Sequence, residues 1–324
     1  MKVLVTGGTG FVGSHLIDRL LEDPDVEIYA LVRNPAKAPW PRDIRRLHLL
    51  TGDLLNIPSL PAGLSAVVHL AGQTKAFKSS RYYTVNQAGT ASLIRALAAR
   101  AETPKFIQVS SQAAAGPSTK GRPVREGDTP RPLSPYGLSK LAAEEEVLKF
   151  AVRFPVVILR PGAIYGPRDE DFLEFFRWVN KGVLPLFGPA GQCLSLCYVG
   201  DVVRAVLVAV KSEVPSGEIF NIASAQPTSW RELGRAAAAV LGRRVRLVRI
   251  PGWSVFMAAV AAEGLGRMRQ RPTAVNLSKY KDMKAEEWVM DVRKARDMLG
   301  FEALTALEDG LKETLGWYLL HGKL

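Results

Sequence analysis

The apolar positions of the first half fall into short separate runs, each closed by glycine or by small polar residues. Val3-Leu4-Val5-Thr6 leads into Gly7-Gly8-Thr9-Gly10-Phe11-Val12-Gly13, after which apolar residues resume at helical spacing through Leu16, Ile17, Leu20 and Leu21. That pattern predicts strand, tight turn and helix. Further strands are predicted over 26–32, 46–53, 66–72, 105–111 and 156–160, with helical patterns over 84–100 and 136–152. Strands alternating with helices predict an α/β fold built on a doubly wound parallel sheet covered on both faces.

The second half is less regular. Residues 168–194 read as an excursion, whereas 194–199, the helix from Asp201 and the run 218–222 return to the sheet region. Ser229 with Glu232 forms a capping box that opens a helix over 230–241. The predicted organisation is a dinucleotide-binding domain from 1–163 plus about 195–224, and a smaller, discontinuous α/β substrate domain from about 164–194 plus 225–324. A chain of 324 residues is long enough to bury both cores.

Composition narrows the picture. With 47% hydrophobic and 23% charged residues the chain reads as globular, and Lys2 leads straight into a core strand, so no cleavable signal peptide is expected. Cys193 and Cys197, placed on one strand, would stand ~13 Å apart at ~3.3 Å per residue, too far to bond, which fits a reducing cytoplasm. The net charge of +12 suits anionic partners. Its arginines and lysines are scattered through helices with no aromatic-interleaved basic motif, so nucleic acid is not expected. The four histidines show no metal-binding spacing, so no metal is expected.

Glycines at 7, 10 and 13 let the backbone turn sharply, approach a pyrophosphate and pack the next helix on the strand, while free N–H groups at the helix start face the phosphates. The second strand ends about 20 residues beyond Gly13, as a Rossmann-type dinucleotide fingerprint requires. Gly7, Thr9, Gly10, Phe11, Val12 and Gly13 are therefore candidate cofactor contacts. Ligands of such sheets bind outside the carboxyl ends of the strands, so Asp53, Ala71, Gly72 and Ser111 should line one crevice. Tyr136 and Lys140 share a helical face, and a neighbouring ammonium is expected to move the phenol down from ~10 towards the working range. With Ser111 binding the same substrate oxygen, these three residues suit proton transfer coupled to hydride transfer.

The chain resembles an extended short-chain dehydrogenase/reductase. The resemblance rests on the glycine motif, Gly52-Asp53-Leu54, His69-Leu70-Ala71-Gly72, Asn86, Ser110-Ser111, Tyr136 with Lys140, and Arg160-Pro161-Gly162-Ala163-Ile164-Tyr165-Gly166-Pro167. Tyr198-Val199-Gly200-Asp201-Val202, Phe220-Asn221-Ile222 and the segment from Asp291 to Phe301 extend it over nearly the whole chain. The resemblance implies that Tyr136 is the acid/base, that Lys140 lowers its pKa and holds the nicotinamide ribose, and that Ser111 orients the substrate. It implies adenine contacts from Asp53 and Leu54, further cofactor contacts from Leu70, Ala71 and Gly72, and a nicotinamide border of Pro161, Gly162 and Ile164. Asn86 reads as structural.

Strand two ends in Val32-Arg33-Asn34 and not in the acidic residue that would hold a ribose 2′-hydroxyl. Arg33 suits a 2′-phosphate, so NADP(H) is favoured, with NAD(H) the alternative and a plain surface arginine the competing reading. Gln112-Ala113 stand where sugar dehydratases resemble one another in an Asp-Glu pair, and Ala114-Ala115-Gly116 and Ala163 stand where many sugar epimerases carry Val-Tyr-Gly and an asparagine, so two polar sugar contacts are missing. Ala115-Gly116-Pro117, the segment 159–169 and Pro251-Gly252-Trp253 are similar to the 3β-hydroxysteroid and sterol dehydrogenase branch. The expected activity is interconversion of a secondary alcohol and a ketone on a hydrophobic, sterol-like or lipid-derived small molecule. The alternatives are a nucleotide-sugar epimerase and a non-enzymatic dinucleotide-binding redox sensor.

In 251–271, Trp253, Phe256, Met257 and Val260 share a helical face, with Arg243, Arg244, Arg246 and Arg249 before it and Arg267, Arg269 and Arg271 after it. The stretch is read either as an ordinary core helix beside solvated arginines, or as a cover for an apolar substrate or a peripheral contact with a membrane surface. It is too short to span a bilayer. Relatives often dimerise through helices matching 84–100 and 136–152, which implies a homodimer.

Overall fold

Residues 1–41, 43–186, 191–269 and 277–324 are described by a computed structural model, with the backbone alone at 264–269 and 277–279. The apolar runs become β1 (Lys2–Thr6), β2 (Glu27–Val32), β3 (Leu47–Thr51), β4 (Ala66–His69), β5 (Lys105–Val109) and β6 (Val156–Pro161). The chain then forms the short strands β7 (Ala163–Tyr165), β8 (Val183–Leu186), β9 (Cys193–Leu194) and β10 (Leu196–Tyr198) before β11 (Glu218–Ile222) returns to the main sheet. The seven strands lie in the order β11-β6-β5-β4-β1-β2-β3, all parallel. Their direction of winding reverses between β1 and β4, which opens a crevice at the carboxyl ends of those two strands.

Period-two alternation sends each strand's side chains to opposite faces, and both faces are apolar. Val3 and Val5 enter the cluster formed with Leu16, Ile17 and Leu20 of α1 (Phe11–Leu21), whereas Leu4 between them enters the opposite one. That second face is covered after α2 (Ser79–Tyr82) by α3 (Gly89–Ala98), and after α4 (Gln112–Ala115) by α5 (Pro135–Leu148), through Leu93, Ile94, Leu97 and Val147. A third apolar cluster gathers Phe172, Phe175 and Phe176 around α6 (Leu173–Asn180). After α7 (Val199–Lys211), which packs on the face of α1, and β12 (Thr228–Ser229), the chain adds α8 (Trp230–Val240) to that cluster. The Ser229–Glu232 capping box is present at the start of α8.

β13 (Arg246–Arg249) pairs with β8, and α9 (Gly252–Arg269), α10 (Leu277–Lys284), α11 (Arg293–Leu299) and α12 (Leu307–Leu320) complete the chain. Three expectations are corrected here. Residues 194–199 do not join the main sheet: the backbone breaks at Ser195, whose N–H donates to Trp288 O at 2.7 Å, and β10 pairs with β7. The two cysteines therefore sit on separate short strands, both as free thiols. The core-helix reading of 252–262 holds for one side only: Val255 and Ala259 are buried, but Trp253, Phe256, Met257 and Val260 are exposed. The side chains of Arg267 and Arg269, and all of Arg271, lie outside the described residues.

Candidate active site

The glycine turn carries three different constraints. Gly7 has φ +73°, and a Cβ there would stand 2.6 Å from Ala71 N, so only glycine lets the ends of β1 and β4 approach. At Gly13 a Cβ would stand 2.2 Å from Gly7 O, which fixes how closely α1 lies on the turn. Gly10 is exposed, and its Cβ would meet only Gly7 O at 3.1 Å. The start of α1 has no side-chain cap and no acidic residue in its first turn. Its N–H groups are left for an anion, and the open face at Gly10 gives that anion room. Thr9 is exposed and Phe11 and Val12 are half-buried around this opening. The cradle fits the pyrophosphate of a dinucleotide.

The remaining strand-end residues fall along the same edge of the sheet. Arg33, just past β2, is exposed and has no hydrogen bond or ion pair among the described residues. Asp53, just past β3, accepts hydrogen bonds from the Leu55 and Asn56 N–H groups at 2.8 and 2.9 Å, which shapes its turn, while Leu54 is buried against Gly89 of α3. Leu70, Ala71 and Gly72 follow β4, with Gly72 exposed. Pro161 closes β6, Gly162 lies so close to Ser195 O that a Cβ would stand 2.1 Å away, and Ile164 is half-buried in β7.

A hydrogen-bond chain ties the end of β4 to α5. Thr90 donates its hydroxyl proton to Asn86 O and so accepts from His69 Nε2 at 2.8 Å; His69 Nδ1 then accepts from Thr6 Oγ1 at 2.7 Å, and Thr6 accepts from Ala71 N–H at 3.3 Å. Burial holds the His69 pKa down to about 3, with the Lys140 charge acting in the same direction, so the ring is neutral as this chain requires. Asn86 lies in a π-helical turn over 83–88. It accepts from Gln73 N at 2.6 Å and donates to Ser139 Oγ at 2.8 Å, and Ser139 donates to Tyr136 O at 2.7 Å. The wide turn thus positions an amide between the β4 loop and the helix that carries Tyr136.

Ser134 caps α5 by accepting from Gly137 N–H at 3.2 Å, and Pro135 occupies the first turn. This start places Tyr136 beside α4, whose N-cap is Ser111. The Ser111 hydroxyl is close enough to the Tyr136 phenol to lower its pKa. Lys140, one turn on, is buried and donates to Val109 O at 2.9 Å. The structure thus brings all three residues together, but the phenol does not move as expected. Desolvation pushes it up to about 12, opposed by the Ser111 hydroxyl and reinforced by the Asp171 carboxylate and Tyr82. The Lys140 ammonium, drawn to the Val109 carbonyl and itself lowered to about 8 by burial, does not offset this.

Two features were missed in the sequence. Arg160 donates to Glu144 at 3.0 and 2.6 Å, both residues being almost inaccessible, and the Ser110 hydroxyl also donates to Glu144. The signal was present, since Glu144 follows Lys140 by four positions. Lys75, in the loop after β4, pairs with Asp171 at 2.7 Å, a contact with no local signature, and the Asp171 carboxylate is one of the charges that act on Tyr136.

An exposed anion cradle at a switch point, joined to a hydroxyl, a phenol and an ammonium at the next strand ends, defines a nicotinamide-dependent short-chain dehydrogenase/reductase of the extended type. The model of the NAD-dependent epimerase/dehydratase family matches residues 3–223, and the chain belongs to that family. It is similar to a protein of Caulobacter vibrioides named ceramide reductase, 30% identical over 99% of this chain and 96% of that one. It is also similar to an uncharacterized UDP-glucose epimerase of Bacillus subtilis, YtcB, 26% identical over 98% of each chain. Among solved structures, MoeE5 in complex with UDP-glucuronic acid and NAD superposes with a TM-score of 0.77 at 27% identity, covering 99% of this chain and 100% of that one.

Proposed function

We propose that the protein reduces a ketone to a secondary alcohol on a hydrophobic, lipid-derived substrate, with NADPH as the preferred cofactor. The observation that carries this reading is the grouping of side chains: the Tyr136 phenol and, one turn on, the buried Lys140 lie on α5, which packs on α4 where Ser111 stands at the N-cap. Burial, which raises the phenol to about 12, keeps it protonated at neutral pH, the state required to give a proton to an alkoxide. Ser111 orients the carbonyl oxygen beside the phenol. Bound dihydronicotinamide supplies the hydride that the carbonyl carbon receives. As charge develops on oxygen, Tyr136 delivers its proton, and Lys140, mostly cationic below its value of about 8, stabilises the phenolate left behind. Asp53, Leu54 and the 70–72 loop would hold the nucleoside half, Gly7 to Gly13 the pyrophosphate, and Pro161, Gly162 and Ile164 the nicotinamide end. Arg33, exposed and without a side-chain partner among the described residues, supports the 2′-phosphate. The likeness to ceramide reductase supports a lipid ketone, and the apolar Ala113-Ala114-Ala115 after Ser111 agrees with it.

The second reading is nucleotide-sugar epimerisation by the same residues, favoured by the likenesses to MoeE5 and to the Bacillus protein. NADPH oxidation measured with long-chain ketones in detergent, beside assays with UDP-glucose and UDP-glucuronic acid, separates the two. Stoichiometric NADPH consumption on the ketones is expected, and Tyr136→Phe should lower kcat by about 100- to 10,000-fold. Epimerised UDP-sugar without net cofactor turnover would overturn the reductase reading.

A further inference from the structure

The positive charge is concentrated in one stretch of the sequence. Residues 242–281 hold nine arginines and lysines and a single acidic residue, Glu263, so they carry +8 of the net +12. Within the described part of this stretch, Arg244, Arg246 and Arg249 are exposed, and their side chains have no hydrogen bond or ion pair among the described residues. They alternate with apolar side chains that are also in solvent: Leu247 and Val248 on β13, then Trp253, Phe256, Met257 and Val260 on α9, with Trp253 71% and Met257 57% exposed. The helix is nevertheless anchored. Val255 and Ala259 are buried beneath it, and the Phe256 ring packs on Tyr280 of α10 at 5.3 Å. Its outer side is apolar by sequence and not because the helix has come away.

An exposed apolar surface of this extent marks a contact site. Cations of one sign interspersed with a tryptophan, a phenylalanine and a methionine suit a layer of phosphates above hydrocarbon. A protein partner would have to supply a carboxylate for each guanidinium, whereas anionic headgroups supply them everywhere on the plane. No helix among the described residues is long and apolar enough to cross a membrane, so the contact is made in the plane of the surface.

We propose that β13 and the first turns of α9 form a docking face for an anionic lipid bilayer, the arginines meeting headgroup phosphates and Trp253 and Met257 entering the boundary with the acyl chains. This inference is independent of which substrate the active site takes. The test is flotation of the full-length protein with vesicles of phosphatidylcholine alone and of phosphatidylcholine mixed with phosphatidylglycerol. The protein should float with the mixed vesicles only, and added salt should release it. The triple change Arg244→Ser, Arg246→Ser, Arg249→Ser should lower partitioning about 100-fold. The pair Trp253→Ser, Met257→Ser should lower it by at least ~10-fold through lost apolar burial. Circular dichroism and NADPH binding should be unchanged in both, which separates loss of docking from loss of fold. Failure of the wild type to float at low ionic strength, or unaltered flotation of both variants, would overturn the proposal. So would a solution dimer that the Trp253→Ser, Met257→Ser pair dissociates, because the face would then belong to a second copy of the chain.

Discussion

Glu144 receives the Arg160 guanidinium through two hydrogen bonds, 3.0 and 2.6 Å long, one helical turn beyond Lys140 and closed off from solvent. The carboxylate favours the Lys140 cation against the burial that disfavours it. In Glu144→Gln that support is gone, so the lysine should lose its proton below about 8. Because the cationic form stabilises phenolate, activity that falls as pH rises should begin to fall at lower pH in the variant. A pH profile of kcat reads the shift, and a role confined to packing would leave the limb in place. The same change leaves Arg160 buried without its carboxylate, so unfolding free energy should drop by about 3–5 kcal/mol in denaturant titrations.

Burial of His69 should weaken the fold as pH falls. Its value of about 3 in the folded chain lies below the ordinary 6.5, so protonation is taken up by the unfolded state first. The stabilisation is complete above about pH 6.5 and is lost as pH falls towards 3, on the order of 5 kcal/mol for a shift of this size. His69→Gln should therefore be less stable at neutral pH but should lose less stability on acidification. Urea midpoints measured from pH 7 to pH 4 for both proteins check the difference in slope.

Much of this site was visible in the residues. The glycine spacing, the strand ends and the Tyr136–Lys140 interval are local patterns, and local patterns survive folding because backbone geometry enforces them. Boundaries were less legible. The helix read over 84–100 begins as a π-helical turn, since the wide turn is set by Asn86 and its partners on other elements. The break at Ser195 depends on Trp288, and the ion pair of Lys75 depends on Asp171; neither partner is near in sequence. The Tyr136 phenol moved opposite to expectation because desolvation is a property of the assembled site, whereas a neighbouring lysine can be read from helical spacing. For α9 the sequence left the burial of its apolar face open, since exposed and covered apolar stripes have the same periodicity.

The glycines of the first turn should separate binding from folding. Gly13→Ala forces a Cβ onto Gly7 O, so stability should fall by more than the ~1 kcal/mol that alanine ordinarily gains over glycine in a helix. Gly10→Ala meets only one atom, at 3.1 Å, and its methyl fills the open face of the cradle. It should fold with a near-native melting temperature yet bind dinucleotide at least ~10-fold more weakly, as read by calorimetric titration. Equal loss of stability in the two variants would remove Gly10 from the cofactor site.

The proposed preference for NADPH rests on Arg33. It stands one residue past β2, exposed and with no side-chain partner among the described residues, and under the proposed reading it meets the ribose of a nucleotide seated on the glycine cradle. A guanidinium there pairs with a 2′-phosphate through charge-assisted hydrogen bonds worth about 1.5–3 kcal/mol, whereas a 2′-hydroxyl offers it little. Arg33→Ser should therefore raise the Kd for NADPH by about 10- to 100-fold and leave the Kd for NADH within about twofold. Arg33→Asp should go further, repelling the phosphate and accepting from the ribose hydroxyl, so that NADH becomes the tighter ligand. Fluorescence titration of wild type and both variants with each cofactor gives the ratio directly. Wild type that binds NADH more tightly than NADPH, with a ratio unmoved by either substitution, would leave Arg33 as a solvated strand-end residue and return the preference to NAD.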